Sequence, residues 1–308
     1  MAILYSIFEW FIHELSFQTF FIKFMEGFPV PNFDFVDESD ISSCFEVNNC
    51  ITSEECDKIF GNSNDLVVDT KTPIKSTPYS TVYAAKSPLD GELFAIKVTD
   101  QKHRVQTEYI KRKQIPDSPY LLKTISFQET PSKGIIQMEL CEEGDIKGLH
   151  LKEEYVWKLV HDIGMALFIL HNDRWMHLDV SPGNILIGHS CFKLSDFGTL
   201  TRFGNFEEGM EGAGPYVSPE ALSYPNSYEV GPATDIFSFG VVLLEVITGK
   251  PAPRGGTPSY QLIRNGKLNI DSGYYACHCS QPLKELIKLM LSPNPHLRPA
   301  AECLASIY

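Results

Sequence analysis

The chain has 308 residues, of which 43% are hydrophobic, and this is enough apolar side chain to bury the core of one large domain or two smaller ones. The net charge of −13 is unevenly placed, because residues 1–65 contain twelve Asp or Glu against two Lys, a net −10 that leaves −3 for residues 66–308. A body so close to neutral lacks the concentrated basic face that phosphate-backbone binding needs, which argues against nucleic acid as a ligand.

The first 25 residues are apolar but do not predict a membrane-spanning helix. Four titratable side chains interrupt the run, at Glu9, His13, Glu14 and Lys23. The uncharged stretches therefore fall short of the roughly 20 residues that a spanning helix needs, and the basic start of a signal peptide is missing. We expect an amphipathic helix that docks on the protein, in preference to one that lies at a membrane surface.

Residues 33–65 are acidic, rich in Ser and Asn, and weakly periodic, which is typical of a linker. We therefore expect residues 1–65 to form an N-terminal extension and the folded domain to begin near Leu66. The eight cysteines form no C-x-x-C pair, so reduced thiols in an intracellular compartment, the cytoplasm or the nucleus, are expected.

Residues 66–141 predict a sheet with one main helix. The helical pattern runs from His103 to Ile115 and is ended by Pro116. Short β-like runs surround it, at Ser80–Lys86, Glu92–Val98, Leu121–Phe127 and Gly134–Leu140.

Residues 142–308 predict a mostly helical region. Three segments have helical periodicity, at Tyr155–Asn172, Asp235–Gly249 and Pro282–Ser292. The fold class is therefore α+β, with a small β-rich lobe followed by a larger helical lobe.

Lys97 ends the apolar run "FAIK", and Glu108 is the only Glu between it and Pro116. The helix that carries Glu108 is expected to pack on the strand of Lys97, so the two side chains can pair. Such a pair can hold the ammonium group where a diphosphate uses it. The alternative is a solvated strand lysine in a surface ion pair, which contributes little to stability.

A second set of polar residues follows the first long helix of the helical region. Asp179 and Asn184 are five residues apart in "HLDVSPGN", and Asp196 lies on a turn in "KLSDFGTL". A carboxylate that orients a hydroxyl nucleophile and a nearby amide oxygen that binds Mg²⁺ are what phosphoryl transfer requires. Asp196 is the expected second metal ligand, because hard oxygen atoms suit Mg²⁺.

From Leu66 to Tyr308 the chain resembles a eukaryotic protein kinase, on the ordered motifs "AIK", "HLDVSPGN", "DFG" and "SPE". Within that family it is most similar to the Wee/Myt mitosis-inhibitory kinases, on "HLDV", "DFGTLTR", "MELC" and "EGAGPYVSPEAL". The resemblance implies a two-lobed kinase fold and transfer of the ATP γ-phosphate to a protein hydroxyl of Ser, Thr or Tyr. It further implies a cyclin-dependent kinase as substrate and inhibition of mitotic entry.

The resemblance also implies roles for particular residues. Asp179 is the catalytic base, Lys97 and Asn184 act beside it, and Asn184 and Asp196 hold Mg²⁺. The ATP site is implied to include Val82, Ala95, Lys97, Glu108, Met138, Glu139, Cys141 and Leu186. Structural roles are implied for Asp235, for a Glu220–Arg298 ion pair, and for His177, which braces the catalytic loop.

Two departures from the kinase pattern lie in the catalytic loop. Leu178 replaces the Arg that receives a phosphorylated activation loop, so we expect no need for phosphate on Thr199 or Thr201. Ser181 replaces the Lys that neutralises the transferring phosphate. Loss of one such donor lowers a rate by about 10²–10³, so a slow reaction is expected.

The nucleotide-covering loop "KSTPYSTV" departs further, because its three expected glycine positions are Lys75, Thr77 and Ser80. Glycine allows close backbone approach to phosphates, and Pro78 has no N–H to bind one. Weakened ATP affinity is therefore expected. Two functions remain open: a slowed active kinase, or a pseudokinase that acts as a nucleotide-binding or protein-interaction module.

Overall fold

The structure is a computed structural model, and it describes residues 66–69, 72–210, 212, 214–226 and 230–307. The expected N-terminal helix and acidic linker lie outside the described residues. The chain forms two compact units that meet in sequence between Gly144 and Asp145. Their described parts are called here the sheet unit, which ends at Gly144, and the helical unit, which begins at Asp145.

The sheet unit is built on one antiparallel sheet with strand order β1-β3-β4-β6-β5, and β2 pairs with β3. Its strands are β1 (Val67–Val68), β2 (Lys75–Ser76), β3 (Thr81–Lys86), β4 (Leu93–Thr99), β5 (Thr124–Glu129) and β6 (Gly134–Glu139). Helix α1 (Lys102–Lys113) lies between β4 and β5 in the chain. The sheet with one main helix, expected from the sequence, is confirmed.

Alternation along β4 determines where its side chains point. Ile96 and Val98 join the apolar core of the sheet unit, and because successive strand residues face opposite sides, Lys97 projects from the other face. On α1, Val105, Glu108 and Arg112 are buried. Residues three and four positions apart lie on the same side of a helix, so Glu108 lies on the buried side of α1.

Strand β5 begins at Thr124, three residues later than the apolar run predicts. Leu121 and Leu122 are buried, but they lie before the regular pairing of β5 with β6. Lys123 bonds Glu139 instead, with its N–H donating to Glu139 Oε1 at 2.6 Å and its carbonyl accepting from Glu139 N at 3.0 Å. The apolar residues Leu121 and Leu122 are therefore buried without being part of a strand.

The helical unit contains six described α-helices and two small antiparallel ribbons, β7 with β10 and β8 with β9. The helices are α2 (Glu153–Asn172), α3 (Pro219–Leu222), α4 (Ala233–Thr248), α5 (Pro258–Arg264), α6 (Gln281–Met290) and, beyond these, the short α7 (Ala301–Ala305). The ribbon strands are β7 (Trp175–Met176), β8 (Ile185–Ile187), β9 (Phe192–Leu194) and β10 (Thr201–Arg202).

Helix α4 is the central element of this unit, since every residue from Thr234 to Ile247 is buried. A helix that is apolar on all sides belongs inside a core. Its one acidic residue in the first turn, Asp235, is fully buried and therefore requires partners. Those partners belong to the candidate active site. None of the described helices has the length and apolar character to cross a membrane.

Candidate active site

In the sheet unit, Lys97 and Glu108 form a closed ion pair. The ammonium Nζ of Lys97 lies 2.8 Å from Oε2 and 3.1 Å from Oε1 of Glu108. Their side chains are only 13% and 7% exposed. The expected pairing is confirmed, and its burial excludes the alternative of a solvated surface pair. The carboxylate therefore fixes the ammonium at one position on the sheet.

The residues expected around the ATP base occupy neighbouring strands of the same sheet. Ala95 on β4 is directly opposite Met138 on β6, and both are buried. Val82 on β3 is opposite Lys97. The register therefore brings these side chains together across three adjacent strands.

Of the other residues of the expected ATP site, Glu139 is the last residue of β6, Cys141 follows that strand, and Leu186 lies in the helical unit. Glu139 ends β6 and is fixed to Lys123, while the carbonyl of Cys141 accepts from Gly144 N at 3.1 Å. Leu186 lies on β8, opposite Lys193 of β9. The ATP-site roles of all these residues stay predictions.

In the helical unit, the buried carboxylate of Asp235 holds the start of the catalytic loop. It accepts from His177 N at 2.9 Å and from Leu178 N at 2.8 Å, and it lies 2.9 Å from Nε2 of His171. Burial alone raises the pKa of Asp235, but these donors and the charge of His171 outweigh it, so the pKa lies below its ordinary value. The structural role implied for Asp235 is confirmed.

The side chain of His177 braces the loop through both ring nitrogens. Nδ1 lies 3.3 Å from the backbone N of Asp179 and Nε2 lies 3.1 Å from the carbonyl of Ser195. Because an N–H can only donate and a carbonyl can only accept, Nδ1 accepts and Nε2–H donates. The imidazole therefore ties Ser195, the residue before Asp196, to the backbone of Asp179.

Asp179 and Asn184 are in direct contact. The amide nitrogen Nδ2 of Asn184 donates to Oδ2 of Asp179 at 2.8 Å and to its carbonyl at 3.0 Å. The turn Pro182–Asn184 makes this contact possible, since it brings the chain back after Ser181. The bond fixes which end of the amide faces Asp179, so the amide oxygen is the atom suited to a metal ion.

The β8–β9 ribbon brings Asn184 and Asp196 to the same end of the hairpin. Ile185 pairs with Leu194, and the carbonyl of Asn184 accepts from both N and Oγ of Ser195, at 2.8 and 2.9 Å. Asp196 follows with a φ of 62°, in the left-handed region where a non-glycine residue is uncommon.

An amide oxygen and a carboxylate fit Mg²⁺, which binds through one or two protein oxygens together with substrate phosphates. Within the described part of the chain, no group of three or more His, Cys, Asp or Glu side chains could hold a metal by itself.

Leu178 sits in an apolar cluster instead of facing a phosphate. It packs with Phe206, Val217 and other buried side chains, and its φ is 66°. Thr199 Oγ1 donates to the carbonyl of His177 at 2.8 Å, and Thr201 is buried. The segment after Asp196 is thus held by apolar packing and internal hydrogen bonds, which supports the prediction that no activating phosphate is needed.

Gly212 is a site residue that sequence reasoning did not single out. Its N–H donates to the carbonyl of Leu178 at 3.1 Å. A Cβ added there would lie 2.5 Å from Oδ1 of Asp179 and 2.8 Å from its Cα. The position therefore requires glycine because the backbone packs directly on the catalytic-loop carboxylate, a contact with no sequence signal.

Arg264 was also missed, and it holds the segment that follows. Its Nη2 donates to the carbonyls of Gly214, Pro215 and Val217 at 3.3, 3.0 and 2.6 Å, and its guanidinium stacks on Tyr260 at 3.5 Å. The side chain is buried, and burial lowers its pKa to about 10, so it is charged at neutral pH.

Tyr216 in this same segment donates to Oε2 of Glu245 at 2.7 Å. Burial and this bond raise the pKa of Tyr216 well above its ordinary value, so it stays a neutral donor. The implied Glu220–Arg298 pair is confirmed, with Nη1–Oε1 at 2.6 Å and Nη2–Oε2 at 2.9 Å. Both residues are buried, which makes the pair structural.

Comparison with known proteins agrees with this arrangement. The protein kinase domain family matches residues 74–307, about three-quarters of the chain. The Wee1-like protein kinase of Arabidopsis thaliana is 30% identical over 238 residues, which are 72% of this chain and 45% of that protein.

Two animal proteins give matches of similar strength. The membrane-associated tyrosine- and threonine-specific cdc2-inhibitory kinase of Drosophila melanogaster is 30% identical over 244 residues, 74% of this chain and 44% of that protein. A kinase of the same description from Caenorhabditis elegans is 30% identical over 239 residues, 73% of this chain and 34% of that protein. The chain thus spans less than half the length of these curated relatives.

The chain therefore belongs to the protein kinase domain family, and its domain is related to the Wee and Myt kinases. The two-lobed α+β fold class expected from the sequence is confirmed with it.

Proposed function

We propose that the chain is an ATP- and Mg²⁺-dependent protein kinase that transfers the γ-phosphate to a protein hydroxyl of Ser, Thr or Tyr. The observation that carries the proposal is the bonded pair of Asp179 and Asn184 on a loop braced by His177 and Asp235. A module that only binds a partner protein does not require a carboxylate and an amide held in this geometry.

The residues divide the work as follows. Asp179 accepts the proton of the substrate hydroxyl as the phosphate is transferred. Lys97, fixed by Glu108, pairs with phosphate oxygens of the nucleotide. Asn184 and Asp196 would hold Mg²⁺, which supplies neutralisation of the phosphate charge when it is bound. The cation that most kinases place at Ser181 is replaced by a hydroxyl, so the rate is expected to be low.

A cyclin-dependent kinase is the proposed substrate, and inhibition of mitotic entry the proposed consequence. The support is the relationship to proteins whose names describe cdc2-inhibitory kinases specific for tyrosine and threonine. An intracellular location, the cytoplasm or the nucleus, belongs to the same proposal. The described cysteines are free thiols, as a reducing compartment favours.

Phosphotransfer is tested with purified protein, labelled ATP, Mg²⁺ and a cyclin-dependent kinase. We expect label to pass to the added kinase with the wild-type chain and not with Asp179→Asn, which keeps the size of the side chain and removes the base. Equal label from both proteins would disprove the enzyme. Phosphoamino-acid analysis of the product then distinguishes Ser, Thr and Tyr.

A pseudokinase is the second candidate, favoured by Ser181 and by the loop between β2 and β3, which carries no glycine. In this case the wild type and Asp179→Asn give equal label, and Mg-ATP raises the melting temperature only if the module binds nucleotide. A ligand selective for the native state must raise stability. The thermal shift thus separates a nucleotide-binding module from one that binds only protein.

The proposed role of residues 1–65 is docking of the apolar segment on the kinase domain. Deletion of residues 1–60 tests it through two measurements, solubility and partition onto lipid vesicles. We expect the full chain to stay off vesicles, because its acidic segment repels anionic lipid. Vesicle binding that is lost on deletion would instead favour the membrane-surface alternative.

A further inference from the structure

The tip of the loop between β2 and β3, Thr77–Ser80, is closed on itself. The N–H of Thr77 donates to the carbonyl of Ser80 at 2.9 Å. The N–H groups of Tyr79 and Ser80 both donate to Oγ1 of Thr77, at 3.3 and 3.1 Å. Pro78 has no N–H. Each main-chain donor of the loop tip therefore already has an acceptor inside the loop tip.

The closed loop tip is also fastened to the rest of the sheet unit. Thr99, at the end of β4, donates through Oγ1 to the carbonyl of Tyr79, and the same Oγ1 accepts from Gln101 N at 3.1 Å. The guanidinium of Arg104 on α1 lies 5.2 Å from the centre of the Tyr79 ring. Opening the loop tip therefore disturbs contacts with the start of α1 as well as the two bonds to Thr77.

In a protein kinase, this loop covers the nucleotide phosphates, and oriented main-chain N–H groups are what bind them. We propose that Thr77 sets the nucleotide affinity of this protein, because its hydroxyl occupies the two N–H groups that would otherwise bind the phosphates of a nucleoside triphosphate. The inference rests on the proposed nucleotide site, and it names Thr77 as the residue that lowers the affinity of that site. When only a fraction of molecules has an open loop tip, the apparent dissociation constant rises by the inverse of that fraction.

The substitution Thr77→Val tests this directly, since it removes the acceptor oxygen and keeps the β-branched shape. Its matched control is Thr81→Val, which deletes a hydroxyl in the same hairpin that pairs with Ser76 Oγ at 3.4 Å. Calorimetric titration with Mg-ATP and with adenosine measures the effect. We expect Thr77→Val to bind Mg-ATP about tenfold more tightly than the wild type and to bind adenosine equally, while the control is unchanged.

Three results would overturn the inference. Unchanged Mg-ATP affinity would show that the loop tip opens without cost. Equal tightening of Mg-ATP and adenosine would show a general effect unrelated to phosphate. Absence of Mg-ATP binding in the wild type and the variant alike would show that Thr77 is not what limits binding. Thr77→Gly is the second variant, and it must tighten Mg-ATP binding as well if the hydroxyl is the cause.

The titration is independent of phosphotransfer. If Asp179→Asn and wild type give equal label but Thr77→Val tightens Mg-ATP, the enzyme proposal fails and the inference stands. If label transfer requires Asp179 but Thr77→Val has no effect on affinity, the inference fails and the enzyme proposal stands.

Discussion

Replacement of Gly212 by alanine should damage catalysis with little effect on nucleotide binding. The added Cβ would lie 2.5 Å from Oδ1 of Asp179, whereas ordinary contacts begin near 3.4 Å, so the two groups must separate by about 0.9 Å. The carbonyl of Leu178 blocks retreat in another direction, because it is also in close contact with this Cβ. A misplacement of about 1 Å in a catalytic group lowers a rate about 10²-fold.

We therefore expect kcat for phosphorylation of a cyclin-dependent kinase to fall about 10²-fold, which corresponds to about 2.7 kcal/mol of transition-state stabilisation. Gly214→Ala is the matched control, since a Cβ there meets no atom within 4 Å. Steady-state kinetics and thermal melting should be measured on both variants. A Gly212→Ala protein with kcat within threefold of the wild type would refute the reasoning, because the strain would then be relieved away from Asp179.

Other expected outcomes concern the helical unit. Arg298→Met should lower the free energy of unfolding in urea by about 3–5 kcal/mol, because it strands the buried Glu220 carboxylate. The pKa of Glu220 is held below its ordinary value of 4.5, since Arg298 outweighs burial, so its stabilisation is present above pH 4.5 and is lost as the pH falls further. Arg298→Met should remove this acid-side loss in pH-dependent melting. Arg264→Met should lower the free energy of unfolding in urea by about 1–3 kcal/mol, with partial rescue by lysine, because the carbonyls of Gly214, Pro215 and Val217 lose their donor. Phosphatase treatment should not change the rate, because Thr199 is already bonded to the carbonyl of His177 and Thr201 is buried, so neither needs an activating phosphate.

Local patterns predicted most of the elements that hold the site. The alternation around Lys97 and the helical spacing around Glu108 depend on neighbours in the chain, so the strand, the helix and their pairing could be anticipated. The start of β5 could not, because the apolar side chains of Leu121 and Leu122 are buried without pairing in the sheet. Burial and strand pairing are separate properties. An apolar run in the sequence indicates burial, but it does not indicate whether the run pairs in a sheet.

Motif spacing also indicated the catalytic loop. Asp179 and Asn184 are five residues apart, and a short turn is enough to bring them into contact, so the sequence carried this information locally. The apolar environment of Leu178 was not visible in the same way. Its partners Phe206 and Val217 are 28 and 39 positions further along the chain, and only folding brings them together.

The sequence by itself determined the kinase family and the order of the elements, and it supplied the candidate catalytic groups, because these depend on residue type and short spacing. The tertiary structure decided which distant residues contact the candidate site. It placed Gly212 against Asp179, tied Arg264 to carbonyls about fifty positions away, and fastened the loop tip to Thr99 at the end of β4. Contacts between residues far apart in the sequence depend on the path of the folded backbone. No local pattern of residue types predicts them.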